Sequence, residues 1–348
     1  MVTLLNSRFV LYIQYLMLIL AFGFWGLVFA PSGGIEVWAK DPIKIGLVLD
    51  KGGKDDRSFN EAAAKGLEKA IKELHVIGKV VEASDDHSFE MMIRAFAHKN
   101  FDLIILVGVS QVDPLKKVAK KLEKQSFALV DGVVEEKNVK ALVFDEHEGS
   151  FLVGALAALT SKTGKLGFIG GMDIPLIRRF EMGFVSGAKQ AKSGIKVITN
   201  YVGVTPEAWN NPAKAKEIAL SQYNLGADII YGAAGGSGLG LFDAAEEKGK
   251  FAIGVDLNQN GVRPGHILTS MVKRIDEAVF QAIKETIDGN FKPGVFHYGL
   301  ANGGVEYSLD EYNKGLISSE TIKKIEVLKS KIIAGTIKVP DYYKKMVK

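Results

Sequence analysis

From Ile43 onward, short uninterrupted apolar runs alternate with stretches that repeat apolar residues at helical spacing. The first run, Ile43–Leu49, predicts a strand. Ser58–Leu74 predicts a helix with Ala62, Ala63, Leu67, Ala70, Ile71 and Leu74 on one side. Runs at Lys79–Ala83, Leu103–Val107, Phe127–Val130 and Val139–Phe144 predict further strands, with helical patterns at His87–Lys99 and Val112–Lys124 between them. Such continuous runs suit parallel strands covered on both faces, where no side alternates toward water. Glu148–Thr160 is rich in small residues and apolar nearly all round, the pattern of a buried helix placed where two lobes meet. A second series follows: strand patterns at Lys165–Ile169, Lys196–Tyr201, Asp228–Tyr231, Phe251–Val255 and Ile267–Met271, helical patterns at Pro175–Gln190, Ala213–Leu225, Gly238–Lys248 and Arg274–Ile287. The remainder, from Phe296, is less regular and holds one clear helix, Ser319–Ile333.

Two successive series of similar length predict an α/β protein of two doubly wound lobes. No long linker separates them, which favours lobes joined by several crossings of the chain, with a small-ligand site in the cleft between. The N-terminus differs from the rest. Arg8 is followed by Phe9–Ala30, twenty-two residues without charge, and by small residues at Val37 and Ala39. This predicts a secretory signal cut after Ala39, or, because the run is long enough to span a bilayer, an uncleaved anchor. Either way the rest of the chain is expected in the periplasm or at the outer face of the cytoplasmic membrane.

Composition narrows the chemistry. The 348 residues carry a formal charge of +4 from 44 basic and 40 acidic side chains, too small an excess to mark a nucleic-acid partner. Lys116, Lys117, Lys120, Lys121 and Lys124 read as one solvated helix face. Cysteine is absent, which excludes disulfides, thiolate metal sites and a cysteine nucleophile within this sequence. The six histidines lack metal spacing: four residues after His147 stands Phe151, not a second histidine. Gly232–Gly240 follows a strand and opens a helix but matches neither phosphate-binding fingerprint, and no nucleophile elbow is present. No catalytic residue, metal or cofactor is therefore expected, although two of the carboxylates Asp50, Asp131 and Asp256 stay open as an acid/base pair brought together in space.

The densest cluster of polar chemistry is Asp50–Asn60, between the first strand and the first helix. In an open α/β sheet this loop lies at the carboxyl edge, where ligands bind. It offers a carboxylate, helix-start amides and the aromatic ring of Phe59, with Ser58 as the N-cap on the bland reading.

The order of motifs resembles the basic-membrane-protein family, the substrate-binding proteins of ABC transporters that include purine nucleoside receptors. The residues are Asp50-x-Gly-Gly-x-x-Asp56-x-Ser58-Phe59-Asn60, Asp131-Gly-Val-Val, Phe144-x-Glu146-x-Glu148-Gly149, Gly167-Phe-Ile-Gly-Gly171 and Ile174-Pro175 with Phe180 and Gly183-Phe184. They continue with Ala233-Ala-Gly235-Gly-Ser-Gly238, Ile253-Gly-Val-Asp256 and Leu268-Thr-Ser-x-x-Lys273, so that the resemblance covers roughly residues 43–300. It implies a type I periplasmic-binding-protein fold with a hinge, and a monomer that delivers a nucleoside, purine by preference, to an ABC permease. It also implies a base held between two aromatics, Phe59 and Trp209, with Asp50 and Ser58 at its edge and Asp256 and Lys273 on the ribose. Asn60, Asp131 and Gly235 complete the implied ligand-binding set. The lobes are expected to divide as 40–147 plus about 256–295, and 148–255 plus about 296–348, after a leader at 1–39. The family's lipobox cysteine is missing, and Asn258 replaces a commoner aspartate. A membrane-anchored sensor, or a site for another flat heterocycle such as a flavin, remain the alternative readings.

Overall fold

A computed structural model of the chain describes residues 41–83 and 87–346. The expectations for the leader at 1–39 lie outside the described residues. The described residues from Pro42 onward form one compact unit.

Two six-stranded sheets carry the fold. In the first, β1 (Lys44–Leu49), β2 (Ile77–Glu82), β3 (Leu103–Val107), β4 (Ser126–Val130), β5 (Val139–Phe144) and β11 (Gly294–Tyr298) run parallel in the order β11-β5-β4-β3-β1-β2. The second has the order β12-β10-β9-β8-β6-β7, from β6 (Lys165–Met172), β7 (Lys196–Gly203), β8 (Ile229–Ala233), β9 (Phe251–Asp256), β10 (Ile267–Lys273) and β12 (Val305–Tyr307). Among the described residues only the β10–β12 pair is antiparallel. The apolar runs sit where their composition requires. Ile45, Leu47 and Leu49 of β1 face one layer of core and Val48 the other, and all are fully buried.

Helices cover both faces. In lobe 1, α1 (Phe59–Leu74) packs on α8 (Ile275–Ile287), while α2 (Ser88–His98) and α3 (Val112–Ala119) pack together on the opposite side. In lobe 2 the pairs are α4 (Glu146–Thr160) with α5 (Pro175–Ala191), and α6 (Pro212–Asn224) with α7 (Gly238–Lys248). α9 (Ser319–Ile333) lies against α4, and the short α10 (Tyr342–Met346) against α5. The small residues of α4 find their reason here. A Cβ on Gly154, Gly183 or Gly187 would stand 1.9–2.3 Å from a backbone carbonyl oxygen of the facing helix, so glycine is what lets α4 and α5 approach this closely.

Three features differ from the sequence reading. β10 pairs with β9 in the second sheet, whereas α8 and β11 return to lobe 1. The chain thus crosses between lobes near Asp145, near Arg274 and through residues 299–304. Only strand pairing decides which sheet receives a run as apolar as β10. The edge strands β11 and β12 were not legible, one being largely exposed and the other only three residues long. Finally, Ser58 does not cap α1. The carboxylate of Asp56 accepts from the backbone N–H of Ser58 at 2.9 Å, Asn60 at 2.9 Å and Glu61 at 3.1 Å, so the helix-start amides are already satisfied. Asp56→Ala should cost about 1–2 kcal/mol by loss of this cap. An unchanged midpoint in urea unfolding would contradict that assignment.

Candidate functional site

The carboxyl edges of the two sheets face each other across a narrow cleft. Asp50, Asp56, Phe59, Asn60 and Asp131 line it from lobe 1, and Phe180, Trp209, Gly235, Asp256 and Lys273 from lobe 2. Eight of the nine residues expected at the site are on its wall. The ninth, Ser58, is fully buried just behind it and donates from Oγ to Asp256 Oδ2 across the lobes at 2.5 Å.

The loop after β1 is held by its own polar groups. Asp50 donates its backbone N–H to Asn60 Oδ1 at 3.0 Å, and its Oδ1 accepts from Ser110 Oγ at 2.6 Å and from the Lys51 N–H at 2.8 Å. A Cβ on Gly108, which has φ +107°, would stand 2.1 Å from Asp50 Oδ2, so the carboxylate lies directly on that backbone. Asn60 therefore lines the cleft and clamps Asp50 as well. On the other lobe, Trp209 ends a short 3-10 turn, Pro206–Trp209. Ser237 Oγ fixes that turn by donating to the Ala208 carbonyl at 2.7 Å and accepting from the Asn211 N–H at 2.6 Å. A Cβ on Gly171 would strike the indole at 2.1 Å, so the ring lies directly against bare backbone.

Asp131 follows β4 and Asp256 ends β9, and both adopt left-handed backbone, with φ +62° and +65°. Non-glycine residues avoid this region at a cost of about 1–2 kcal/mol. Two aspartates bent in this way, one on each lobe and both facing one cleft, mark it as built for a ligand. Lys273 lies between them. Its Nζ donates to Asp131 Oδ2 and to Glu146 Oε1, the latter at 3.3 Å. The ammonium also stands 5.1 Å from the ring centre of Phe59, 4.9 Å from Phe144 and 5.6 Å from Phe180. Burial works against its charge, but the carboxylates of Asp131, Glu146 and Asp256 outweigh burial and hold its pKa above the ordinary lysine value. One lysine cannot neutralise all three. Burial accordingly pushes Asp256 up to about 6 and Glu146 up to about 7, with Lys273 only partly opposing it. Asp131 Oδ1, fully enclosed, has no hydrogen-bond partner among the described residues. A buried carboxylate oxygen left this way asks for a donor from outside the protein.

This architecture has known counterparts. The family model described as "ABC transporter substrate-binding protein PnrA-like" matches residues 43–342. The chain belongs to that family. Among relatives, the "ABC transporter nucleoside-binding protein BmpA" of Lactococcus lactis is 35% identical over 89% of this chain and 92% of its own length. "Basic membrane protein A" of Borreliella afzelii is 33% identical over 88% and 94%. A crystal structure of an ABC transporter solute-binding protein from Aeropyrum pernix K1 aligns with TM-score 0.80 and 30% identity, covering 86% of this chain and 94% of that one. The protein is thus a substrate-binding protein of the ABC-transporter kind, with a small-molecule ligand and a permease as partner, and its family is one of binders rather than enzymes.

For a substrate-binding protein the residues missed by the sequence reading are informative. Phe180 is a third ring on the cleft wall. Its position in the Ile174–Phe184 motif pointed to it, but spacing could not say that α5 turns it inward. Gln259 joins the lobes, donating from Nε2 to the Arg57 carbonyl at 2.8 Å while its Oε1 accepts from the Val255 N–H at 2.7 Å. Asn258, the departure from the family pattern, donates to Asp310 at 2.7 Å and is not on the cleft wall.

Proposed function

We propose that this substrate-binding protein takes a nucleoside, purine by preference, between its lobes for uptake through an ABC permease, after export of the chain by its N-terminal 39 residues. One observation carries the reading. The cleft joins aromatic walls, Phe59, Trp209 and Phe180, to a polar floor where Asp131 Oδ1 lacks a donor beside Lys273 and Asp256. Flat rings stack on the former with little regard to their substituents. Vicinal hydroxyls satisfy the latter, donating to the two aspartates and accepting from the ammonium. The nucleoside-binding name of the Lactococcus lactis relative supports the same ligand class. Phe59, Trp209 and Asp50 are assigned to the base, Asp131, Asp256 and Lys273 to the sugar, with Asn60 and Gly235 shaping the wall and Ser58 steadying Asp256 from behind it.

Charge sharpens the prediction. Four carboxylates line the cleft, those of Asp50, Asp56, Asp131 and Asp256, against the buried ammonium of Lys273 and the rim lysine Lys51. A 5′-phosphate would enter against this field, so nucleotides are expected to bind at least about tenfold more weakly than their nucleosides. Calorimetry of residues 40–348, freed of copurified ligand by unfolding and refolding, against inosine, guanosine, adenosine, cytidine, riboflavin and guanosine monophosphate tests this. Heat with a purine nucleoside and little with the monophosphate is the expected pattern. Heat with riboflavin alone, or nucleotide preferred over nucleoside, would overturn it.

A further inference from the structure

Behind the cleft, a buried chain of charges leads from Lys273 to the C-terminal segment. Glu146, fully buried at the start of α4, offers Oε1 to Lys273 Nζ and Oε2 to Arg179 Nη1, at 3.3 and 2.5 Å. Arg179, on α5 and 2% exposed, also donates from Nη1 to the Phe144 carbonyl at 2.7 Å and from Nη2 to His147 Nδ1 at 3.0 Å. Nη2 also reaches Asp145 Oδ1 at 3.4 Å, and the Nε edge faces the C-terminal segment. Nε donates to Asp341 Oδ1 at 2.9 Å and Nη2 approaches Asp341 Oδ2 at 3.5 Å, while the Tyr343 ring lies 4.7 Å from the guanidinium carbon. None of Glu146, Arg179 or Asp341 is on the cleft wall.

The geometry assigns these residues a task. A guanidinium is a rigid plane, so fixing its Nε edge with a carboxylate also fixes the direction of Nη1. Nη1 in turn aims Glu146 and favours its ionised form against burial, and Glu146 holds one side of the Lys273 ammonium against the pull of Asp131. Without it, the ammonium has a single carboxylate anchor and no reason to stay centred between the lobes. His147, driven down to about 4 by burial and by Arg179, is neutral and adds no rival charge. We propose that Asp341 is a positioning residue for the ligand-facing ammonium of Lys273, acting through Arg179 and Glu146. The C-terminal segment then sets affinity for whatever part of the ligand Lys273 holds, which on the nucleoside reading above is the sugar.

Asp341→Asn is the variant of choice, because it removes one charge near the chain end without opening the core as changes to Arg179 would. In the full chain, purified in detergent, Asp341→Asn should weaken inosine by about fivefold, and Asp341→Glu should stay within about twofold of the parent. Binding of 2′,3′-dideoxyinosine, which lacks the hydroxyls, should change little in either. An equal loss for both ligands, or none for inosine, would overturn the proposal. A second readout needs no ligand: the rate at which an amine-acylating reagent labels Lys273, followed by peptide mass spectrometry, should rise in Asp341→Asn and not in Asp341→Glu. Should the parent bind neither nucleoside, the nucleoside reading fails and this rate alone judges the positioning role, an unchanged rate sinking it.

Discussion

Lys273→Met is expected to abolish ligand binding and to lower stability by about 3–5 kcal/mol, the usual cost of removing one partner from a buried ionic group. The side chain is 1% exposed, and among the described residues its ammonium is the only basic group that touches Asp131. Methionine fills the same space inside the collar of Phe59, Phe144 and Phe180, so the loss would come from charge and not from a cavity. What remains are the carboxylates of Asp131, Asp256 and Glu146, of which only Glu146 keeps a cation, Arg179. These groups would take up protons to relieve the strain, which gives the effect a pH signature. Asp256 and Glu146 already titrate at about 6 and about 7, above their ordinary values of 3.8 and 4.5. Losing the ammonium raises them further, so the folded variant binds more protons than the unfolded chain from about pH 4 upward. Its stability then falls as pH rises through that window. The deficit in melting temperature relative to the parent should be large at pH 8 and should shrink toward pH 5. A deficit independent of pH, or ligand affinity within tenfold of the parent, would contradict the role given to Lys273.

Asp256→Asn is the second large effect, expected to weaken the ligand by about 10- to 100-fold at pH 7.5 through loss of a charge-assisted hydrogen bond. Asparagine is isosteric and keeps one oxygen for Ser58 Oγ, so the contact between lobes survives while the anion is lost. In the parent, a ligand hydroxyl donates much more strongly to the ionised carboxylate than to the protonated acid. Affinity should therefore be level above about pH 7 and fall below about pH 6, by up to about tenfold per pH unit for one proton taken up. The groups facing Asp256 include Lys273, Ser58, Asp56, Glu146 and, across Lys273, Asp131. Glu146 titrates nearby at about 7, but behind Lys273, so its contribution should persist in the variant. Calorimetry from pH 5 to 8 should show the Asp256→Asn curve flattened in its lower half. A curve parallel to that of the parent would mean that Asp256 does not meet the ligand as an anion.

Both variants alter residues that the amino-acid order alone makes legible. The strand-end positions of Asp50, Asp131 and Asp256, the ring of Phe59 and Lys273 all stand in the motif order. The apolar runs that place them at sheet edges are local and strong. Most helices and the central strands lie within a few residues of their expected bounds because buried parallel strands and amphipathic helices write a short-range pattern. Ser58 and Asp56 show the limit of that reading. Both stand before α1 and both are good caps, and only the turn at Arg57, with φ +55°, decides that Asp56 takes the amides. Ser58 is thereby freed to reach Asp256 on the other lobe.

The sequence by itself determined the elements, the α/β class, and the family with the cluster of ligand-type residues that goes with it. Tertiary structure alone decided which sheet received β10, that Phe180 joins the aromatic wall, and that Glu146, Arg179 and Asp341 stand in line behind Lys273. The physical reason is range. Periodicity and capping act over a few residues, whereas Lys273 meets Glu146 across 127 positions and Arg179 meets Asp341 across 162. Those partners are chosen by how two lobes and a returning C-terminus pack, and no spacing along the chain records that choice.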